Sequence, residues 1–300
     1  MQRSTTPLVR APIPAVRDVV ELLKPITWFP PIWAFLCGVV SSGVPIAERW
    51  PFLIAGILLT GPLVCGTSQA VNDWFDRHVD AINQPDRPIP SGRIAGQWGL
   101  AIACIGTVAS ALVAWATGPW VFAATLLGLA LAWAYSAPPL RLKVSALWGP
   151  GAVALSYEGL TWFTGAAVMA GALPSGHVLA VLLLYSVGAH GIMTLNDFKA
   201  VEGDRLTGVR SLPAMFGVDR AARIACATML VPQLGVIALL LLWGHALVAV
   251  IVAALALGQV WAMRRMLSDP EARTPWYNAT GVAMYVLGML AAAFGLGSAA

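Results

Sequence analysis

The sequence predicts an all-α polytopic membrane protein, with nine transmembrane helices around a central cavity that opens near the cytoplasmic face. Of its 300 residues, 58% are hydrophobic and only 11% are charged, where a soluble domain carries about 25% charged residues. The apolar residues fall into blocks at about 26–44, 51–71, 98–116, 119–135, 147–171, 176–195, 220–242, 245–265 and 276–298. Each block is near the roughly 20 residues that cross a hydrocarbon core. Two dense groups of carboxylates interrupt this background, at 72–86 and 196–204, each directly after an apolar block.

No long polar stretch separates the blocks, so residues 25–300 form one transmembrane domain behind a short cytoplasmic segment, 1–24. Within that segment, residues 1–17 read as disordered and Asp18 to Lys24 as a short amphipathic helix at the membrane interface. Pro30 and Pro31 interrupt the first block, which a membrane tolerates where neighbouring helices or a cavity satisfy the freed backbone groups. Every Lys and Arg except Arg49 falls before the first block or at alternate block ends. By the positive-inside rule the N-terminus and both acidic stretches are cytoplasmic and the C-terminus is outside. The net charge of +4 follows from that topology and gives no support to nucleic-acid binding. Cys37, Cys65, Cys104 and Cys226 all lie within blocks and read as small apolar residues rather than a disulfide framework. No cleavable signal peptide is apparent.

The first acidic stretch reads NDWFDRHVDAINQPDRPIPSGR, from Asn72 to Arg93. If the preceding helix continues through it, Asp73, Asp76 and Asp80 fall along one stripe, since each residue turns about 100°. Three aligned carboxylates repel one another unless a cation sits between them, and hard oxygen donors suit Mg²⁺. The second stretch, NDFKAVEGDR, repeats the pattern: Asn72, Asp73, Trp74 and Asp80 correspond to Asn196, Asp197, Phe198 and Asp204. The candidate metal ligands are therefore Asn72, Asp76, Asp80, Asp197 and Asp204, with Glu202 beside them and Asp73 in the catalytic group.

Basic residues flank both stretches. Pro85, Pro88 and Pro90 stiffen a loop able to position Arg87 and Arg93, and Tyr135 opens a second turn, YSAPPLRLK, that carries Arg141 and Lys143. Arg offers bidentate bonds to phosphate oxygens and Lys a point charge. With Arg77, Asn196, Lys199 and Arg205 from the motifs, these form the candidate diphosphate-binding set, while positive-inside topology alone remains the alternative for each. Within the membrane Glu158 and His190 stand out, because an ionisable residue at depth is costly. Both are candidate cavity residues, and for His190 simple helix packing is the alternative. Carboxylates for Mg²⁺, basic residues around them and an apolar cavity beneath describe a site for a phosphorylated lipid. No Ser-His-Asp or Cys-His arrangement is evident.

The residues Asn72-Asp73-x-x-Asp76-x-x-x-Asp80 and the second acidic stretch resemble the two aspartate-rich motifs of the UbiA superfamily of intramembrane prenyltransferases. The longer runs NDWFDRHVDAINQPDRPIPSGRI, YSAPPLRLK and NDFKAVEGDRLTGVRSLPAMFG are similar to its chlorophyll and bacteriochlorophyll synthase branch, nearly throughout from residue 20 onward. The resemblance implies Mg²⁺-dependent transfer of a geranylgeranyl or phytyl group from its diphosphate to the propionate of a chlorophyllide or bacteriochlorophyllide. It also implies a bacterial inner or intracytoplasmic photosynthetic membrane, and pigment-assembly proteins as partners. One departure matters: many superfamily members have Asp where this chain has Ala200, which shifts the second metal duty onto Asp197, Asp204 and Glu202. The competing readings are a prenyltransferase for a quinone precursor or haem, and a non-enzymatic transporter or pigment-binding assembly factor.

Overall fold

The computed structural model describes residues 12–298. Expectations for residues 1–11, and for the last two residues of the C-terminal tail, lie outside the described residues. Among these residues no strand forms, and a backbone bridge joins Ser145 to Arg210 across two loops.

Helix α1 (Val16–Leu22) begins two residues ahead of the expected interfacial helix and buries Asp18 and Leu22 while exposing Val16 and Val20. After a turn at Pro25–Thr27 the chain bends by 59° into α2 (Phe29–Ser41). Pro30 and Pro31 sit in the first turn of α2, where an amide would have no intrahelical partner anyway. Helix α3 (Ile46–Asn83) is 38 residues long and carries the first acidic stretch on its C-terminal end. Its middle, Leu59–Cys65, widens into π-helical turns at Pro62. Helices α4 (Trp98–Thr117) and α5 (Pro119–Ser136) form a hairpin closed by Gly118, whose φ of 132° a side chain would not accept.

Helix α6 spans 148–170 and is likewise interrupted by π-helical turns, at Leu155–Leu160. It packs on α2 so closely that a Cβ on Gly38 would fall 2.0 Å from the Trp162 carbonyl oxygen. Helix α7 (Gly176–Asn196) starts at a Ser175 cap and ends in the second acidic stretch, where a tight turn over Asp197–Ala200 leads into α8 (Val201–Thr207). A short α9 (Leu212–Phe216) precedes α10 (Val218–Leu242), α11 (Ala246–Met266) and α12 (Pro270–Gly297).

All nine expected blocks fold as helices, but the expected count of nine spans does not carry over unchanged. Among the described residues seven helices are long and apolar enough to cross a membrane, or eight if the bent pair ending in α2 counts as one. Helix α6 falls outside that group because Ser156, Tyr157, Glu158 and Thr161 make its middle polar. The larger apolar core joins α2, α6 and α7 to α10, α11 and α12, and a second joins α2, α3, α5 and α6. A third, smaller cluster of Leu22, Ala70, Val71, Ile94 and Ala103 fixes α1 and the 84–97 loop against the C-terminal half of α3. Between these cores α3, α5, α6 and α7 leave a cavity of about 700 Å³.

Candidate active site

The cavity gathers its polar residues at one end. From α3 come Gln69, Asn72, Asp76 and Asp80; from α5 comes Tyr135; from the following turn come Arg141, Lys143 and Ser145; and from the second arm come Asn196, Asp197, Asp204 and Ser211. The two acidic stretches, 124 residues apart counting from Asn72 to Asn196, thus face one space. Tyr135 lies between them, within electrostatic reach of Asp76, Asp197 and Asp204.

On the first arm the row facing the cavity is Asn72, Asp76 and Asp80, four residues apart, rather than the expected stripe of Asp73, Asp76 and Asp80. At about 100° per residue, Asp73 sits about 60° around the helix from Asp76, at the margin of the cavity-facing arc. There it is only 1% exposed and pairs with Lys24 at 2.6 Å and Arg87 at 3.3 Å. Arg87 also donates to Asp80 Oδ2 at 2.7 Å. The Asn72 amide donates to Asp76 Oδ2 at 3.0 Å and to the Ser136 hydroxyl at 3.1 Å, which ties α3 to α5. Lys143 donates to the other oxygen of Asp76.

The second arm is built differently. Phe198, 3% exposed, anchors the turn after α7, and the break there brings both Asp197 and Asp204 to the cavity although they do not share one straight helix. Ser211 donates to Asp204 Oδ2 at 2.5 Å. The loops behind are joined by Arg210 N–H donating to Val144 C=O at 2.9 Å. Glu202, Lys199 and Arg205 are exposed and do not line the cavity.

Other expected residues lie elsewhere. Arg77 stacks 4.3 Å over Trp74 and donates to the Trp74 carbonyl. Arg93 clamps α1, donating to Asp18 at 2.6 Å and to both Glu21 oxygens at 2.6 and 2.7 Å, and its guanidinium holds the Glu21 carboxyl below the usual range. Glu158 is buried within the π turns of α6, and one of its oxygens has no hydrogen-bond partner. His190 Nε2 lies 3.2 Å from the Leu147 carbonyl oxygen, at the seam of α6 and α7. Neither residue lines the cavity.

Sequence reasoning missed Lys24, Ser136, Ser211 and Tyr157. Tyr157 lines the cavity and accepts from Gln69 at 3.2 Å and from the Cys65 thiol at 3.3 Å, linking the two π-turn segments. A signal for Lys24 was present in its placement directly before the first block, where it had been read as topology alone.

The donor set is made of hard oxygens. Asn72, Asp76 and Asp80 face Asn196, Asp197 and Asp204 across the cavity, the chemistry that suits a divalent cation such as Mg²⁺ bound jointly with substrate phosphates. Among the described residues no three acidic, His or Cys side chains close on one point, so a shared site would be completed by a ligand between the arms. Arg141 and Lys143 line the same rim as phosphate partners.

Comparisons with known proteins agree with this architecture. The chain is 59% identical over 284 residues to the bacteriochlorophyll synthase 33 kDa chain of Cereibacter sphaeroides, covering 95% of this chain and 94% of that protein. It is 38% identical to the chloroplastic chlorophyll synthase of Arabidopsis thaliana, covering 91% of this chain and 73% of that protein. Its fold matches that of a UbiA homolog from Archaeoglobus fulgidus bound to DMAPP and Mg²⁺, with a TM-score of 0.71 at 19% identity, over 91% of this chain and 99% of that one. Residues 27–287 match the UbiA prenyltransferase family, which favours the prenyltransferase reading over a transporter, and the chain belongs to that family.

Proposed function

We propose that the chain is a bacteriochlorophyll synthase, esterifying the propionate of bacteriochlorophyllide with a geranylgeranyl or phytyl group from its diphosphate. The observation that carries this reading is the single cavity in which two carboxylate arms and the Arg141–Lys143 rim stand above an apolar interior, in a chain 59% identical to a bacteriochlorophyll synthase chain. Asp76, Asp80, Asp197 and Asp204, with Asn72 and Asn196, would hold Mg²⁺, and Arg141 and Lys143 would hold the diphosphate oxygens. Bound Mg²⁺ would supply Lewis-acid stabilisation of the departing diphosphate.

The remaining work belongs to the chain itself. The bond from the allylic carbon to the diphosphate oxygen breaks with its electron pair leaving on diphosphate, and a propionate oxygen forms the new ester bond to that carbon. An ionised propionate is already nucleophilic, so no general base is needed; the walls orient it and exclude water, which would otherwise trap the allylic cation. By the positive-inside rule this rim is cytoplasmic, in a bacterial inner or intracytoplasmic membrane with the C-terminus outside. Labelling of a single cysteine at position 300 from the cytoplasm would reverse that orientation.

Purified protein supplied with Mg²⁺, geranylgeranyl diphosphate and bacteriochlorophyllide should form the esterified pigment, separable by chromatography. Prenylation of 4-hydroxybenzoate with no pigment ester would overturn the acceptor assignment and leave the family untouched.

A further inference from the structure

On the far side of the molecule from the cavity, α11 and α12 are joined by a short turn, Leu267 to Asp269. Leu247, Val250, Leu257 and Trp261 are all exposed on α11, and their spacings of three, seven and four residues put them on one face of the helix. Arg265, also exposed, follows Trp261 by four residues and ends that face. Helix α11 is long and apolar enough to cross a membrane, so the face runs along lipid acyl chains up to a guanidinium. Leu257 lies eight residues from Arg265, roughly 12 Å along the axis, which keeps both within one leaflet of a hydrocarbon core roughly 30 Å thick.

At the end of the face two arginines are held in place by aromatic and backbone contacts. The Arg265 guanidinium stacks 4.7 Å over the Trp276 ring, and Trp276 meets Trp261 edge to face with centroids 5.9 Å apart. Stacking fixes the plane of a guanidinium and leaves its edge N–H groups available to a phosphate. Arg273 precedes Trp276 by three residues, on the same side of α12. One terminal nitrogen of Arg273 donates to the Arg265 carbonyl at 2.9 Å and to the Ser268 hydroxyl. That bond ties Arg273 to the end of α11 and leaves its remaining nitrogens without a partner among the described residues.

The chain supplies these charges with no anion of its own. Among the described residues Arg264, Arg265 and Arg273 take part in no salt bridge. Of the two nearby carboxylates, Asp269 caps α12 by accepting from the Ala272 N–H at 3.3 Å, and Glu271, two residues before Arg273, lies about 200° around the helix from it. None of these residues lines the cavity, so the pair stands apart from the diphosphate rim. Two ordered guanidinia without a counter-ion favour a phosphate of net negative charge, and the apolar face that leads up to them favours one carried on a lipid over a free anion.

From this arrangement we infer that the α11–α12 turn is a binding site for one anionic phospholipid, its phosphate held between Arg265 and Arg273 and an acyl chain laid along Trp261 and Leu257. The test titrates phosphatidylglycerol, phosphatidylcholine and inorganic phosphate onto the delipidated full chain in detergent, read by native mass spectrometry for retained lipid and by thermal stabilisation. Wild type should retain phosphatidylglycerol over phosphatidylcholine by about tenfold or more, and inorganic phosphate at equal concentration should not displace it. Arg265→Gln, which leaves the backbone bond from Arg273 in place, should lower that preference by about fivefold. Arg265→Gln combined with Arg273→Gln should abolish it. Arg220→Gln combined with Arg223→Gln removes two exposed positive charges from the start of α10 and should leave the preference within about twofold. Wild type that retains the two lipids alike, or an unchanged preference in folded Arg265→Gln, overturns the inference. Equal loss in the α10 double variant also overturns it, by showing a general basic field instead of a site, and stabilisation by inorganic phosphate equal to that by phosphatidylglycerol overturns it by making the ligand a free anion.

Discussion

On the first acidic arm every Asp at or beside the cavity already has a cation: Asp73 has Lys24 and Arg87, Asp76 has Lys143, and Asp80 has Arg87. On the second arm Asp197 takes part in no salt bridge among the described residues, and Asp204 Oδ2 accepts a hydrogen bond from the neutral Ser211 hydroxyl. The arms also differ in backbone. The first is one uninterrupted helix from Gly66 to Asn83, whereas the second turns out of α7 at Asp197 and restarts at Val201. Similar sequence signatures therefore yield one wall whose carboxylates are paired with cations of the chain itself and another on which Asp197 has no salt bridge among the described residues. Partly buried like charges near each other are costly, so the second arm is the one that should gain most order from Mg²⁺.

The largest effects test that asymmetry. Asp76→Ala and Asp204→Ala should each lower prenyl transfer by about a thousandfold or more, given several kcal/mol of lost stabilisation at 1.36 kcal/mol per tenfold. Mg²⁺ should raise the melting temperature of wild type, because it binds the folded state. That rise should vanish in Asp204→Ala and persist in reduced form in Asp76→Ala; equal loss in both would erase the distinction between the arms.

Next in size is the structural cation of the first arm. Lys24→Met leaves Asp73 buried with only Arg87 at 3.3 Å, and breaking a buried pair costs about 3–5 kcal/mol. The counterpart on the second arm, exposed Lys199→Met, should stay within about 0.5 kcal/mol. Denaturant unfolding in detergent compares the two directly.

Smaller still, Arg93→Ala frees α1 from the loop that it grips through Asp18 and Glu21. Faster amide hydrogen exchange across 16–22, with α7 unchanged, is the expected result. Glu202→Gln should change turnover by no more than about twofold, since the side chain is exposed and off the cavity; a larger loss would return it to the metal site.

Much of this was legible in the sequence, because hydrophobic blocks and local motifs are short-range features. The blocks located the helices, and the repeated Asn-Asp stretches located both walls of the cavity. The spacing of Asp73, Asp76 and Asp80 defines a stripe but not which edge of it faces inward, and the cavity-facing row runs from Asn72 through Asp76 to Asp80. Lys24 and Asp73 are 49 residues apart and Arg93 and Glu21 are 72 apart, and no local pattern announces such pairs. Depth in the membrane singled out Glu158 and His190, yet neither lines the cavity, because burial and proximity to a cavity are separate properties.

The π turns at Leu59–Cys65 and Leu155–Leu160 bear on how such a chain tolerates insertions and deletions. Deleting one residue from an ordinary α-helix swings everything beyond it by about 100°; at Ala70 that would rotate Asn72 and Asp76 out of the cavity. A π turn already holds one residue more than an α-turn would, so a deletion inside 59–65 or 155–160 restores regular helix and leaves both flanking halves in phase. The two turns are joints at which the N-terminal and C-terminal halves of α3 and α6 are indexed separately, and one-residue gaps between related chains should collect there while the acidic arms keep their spacing.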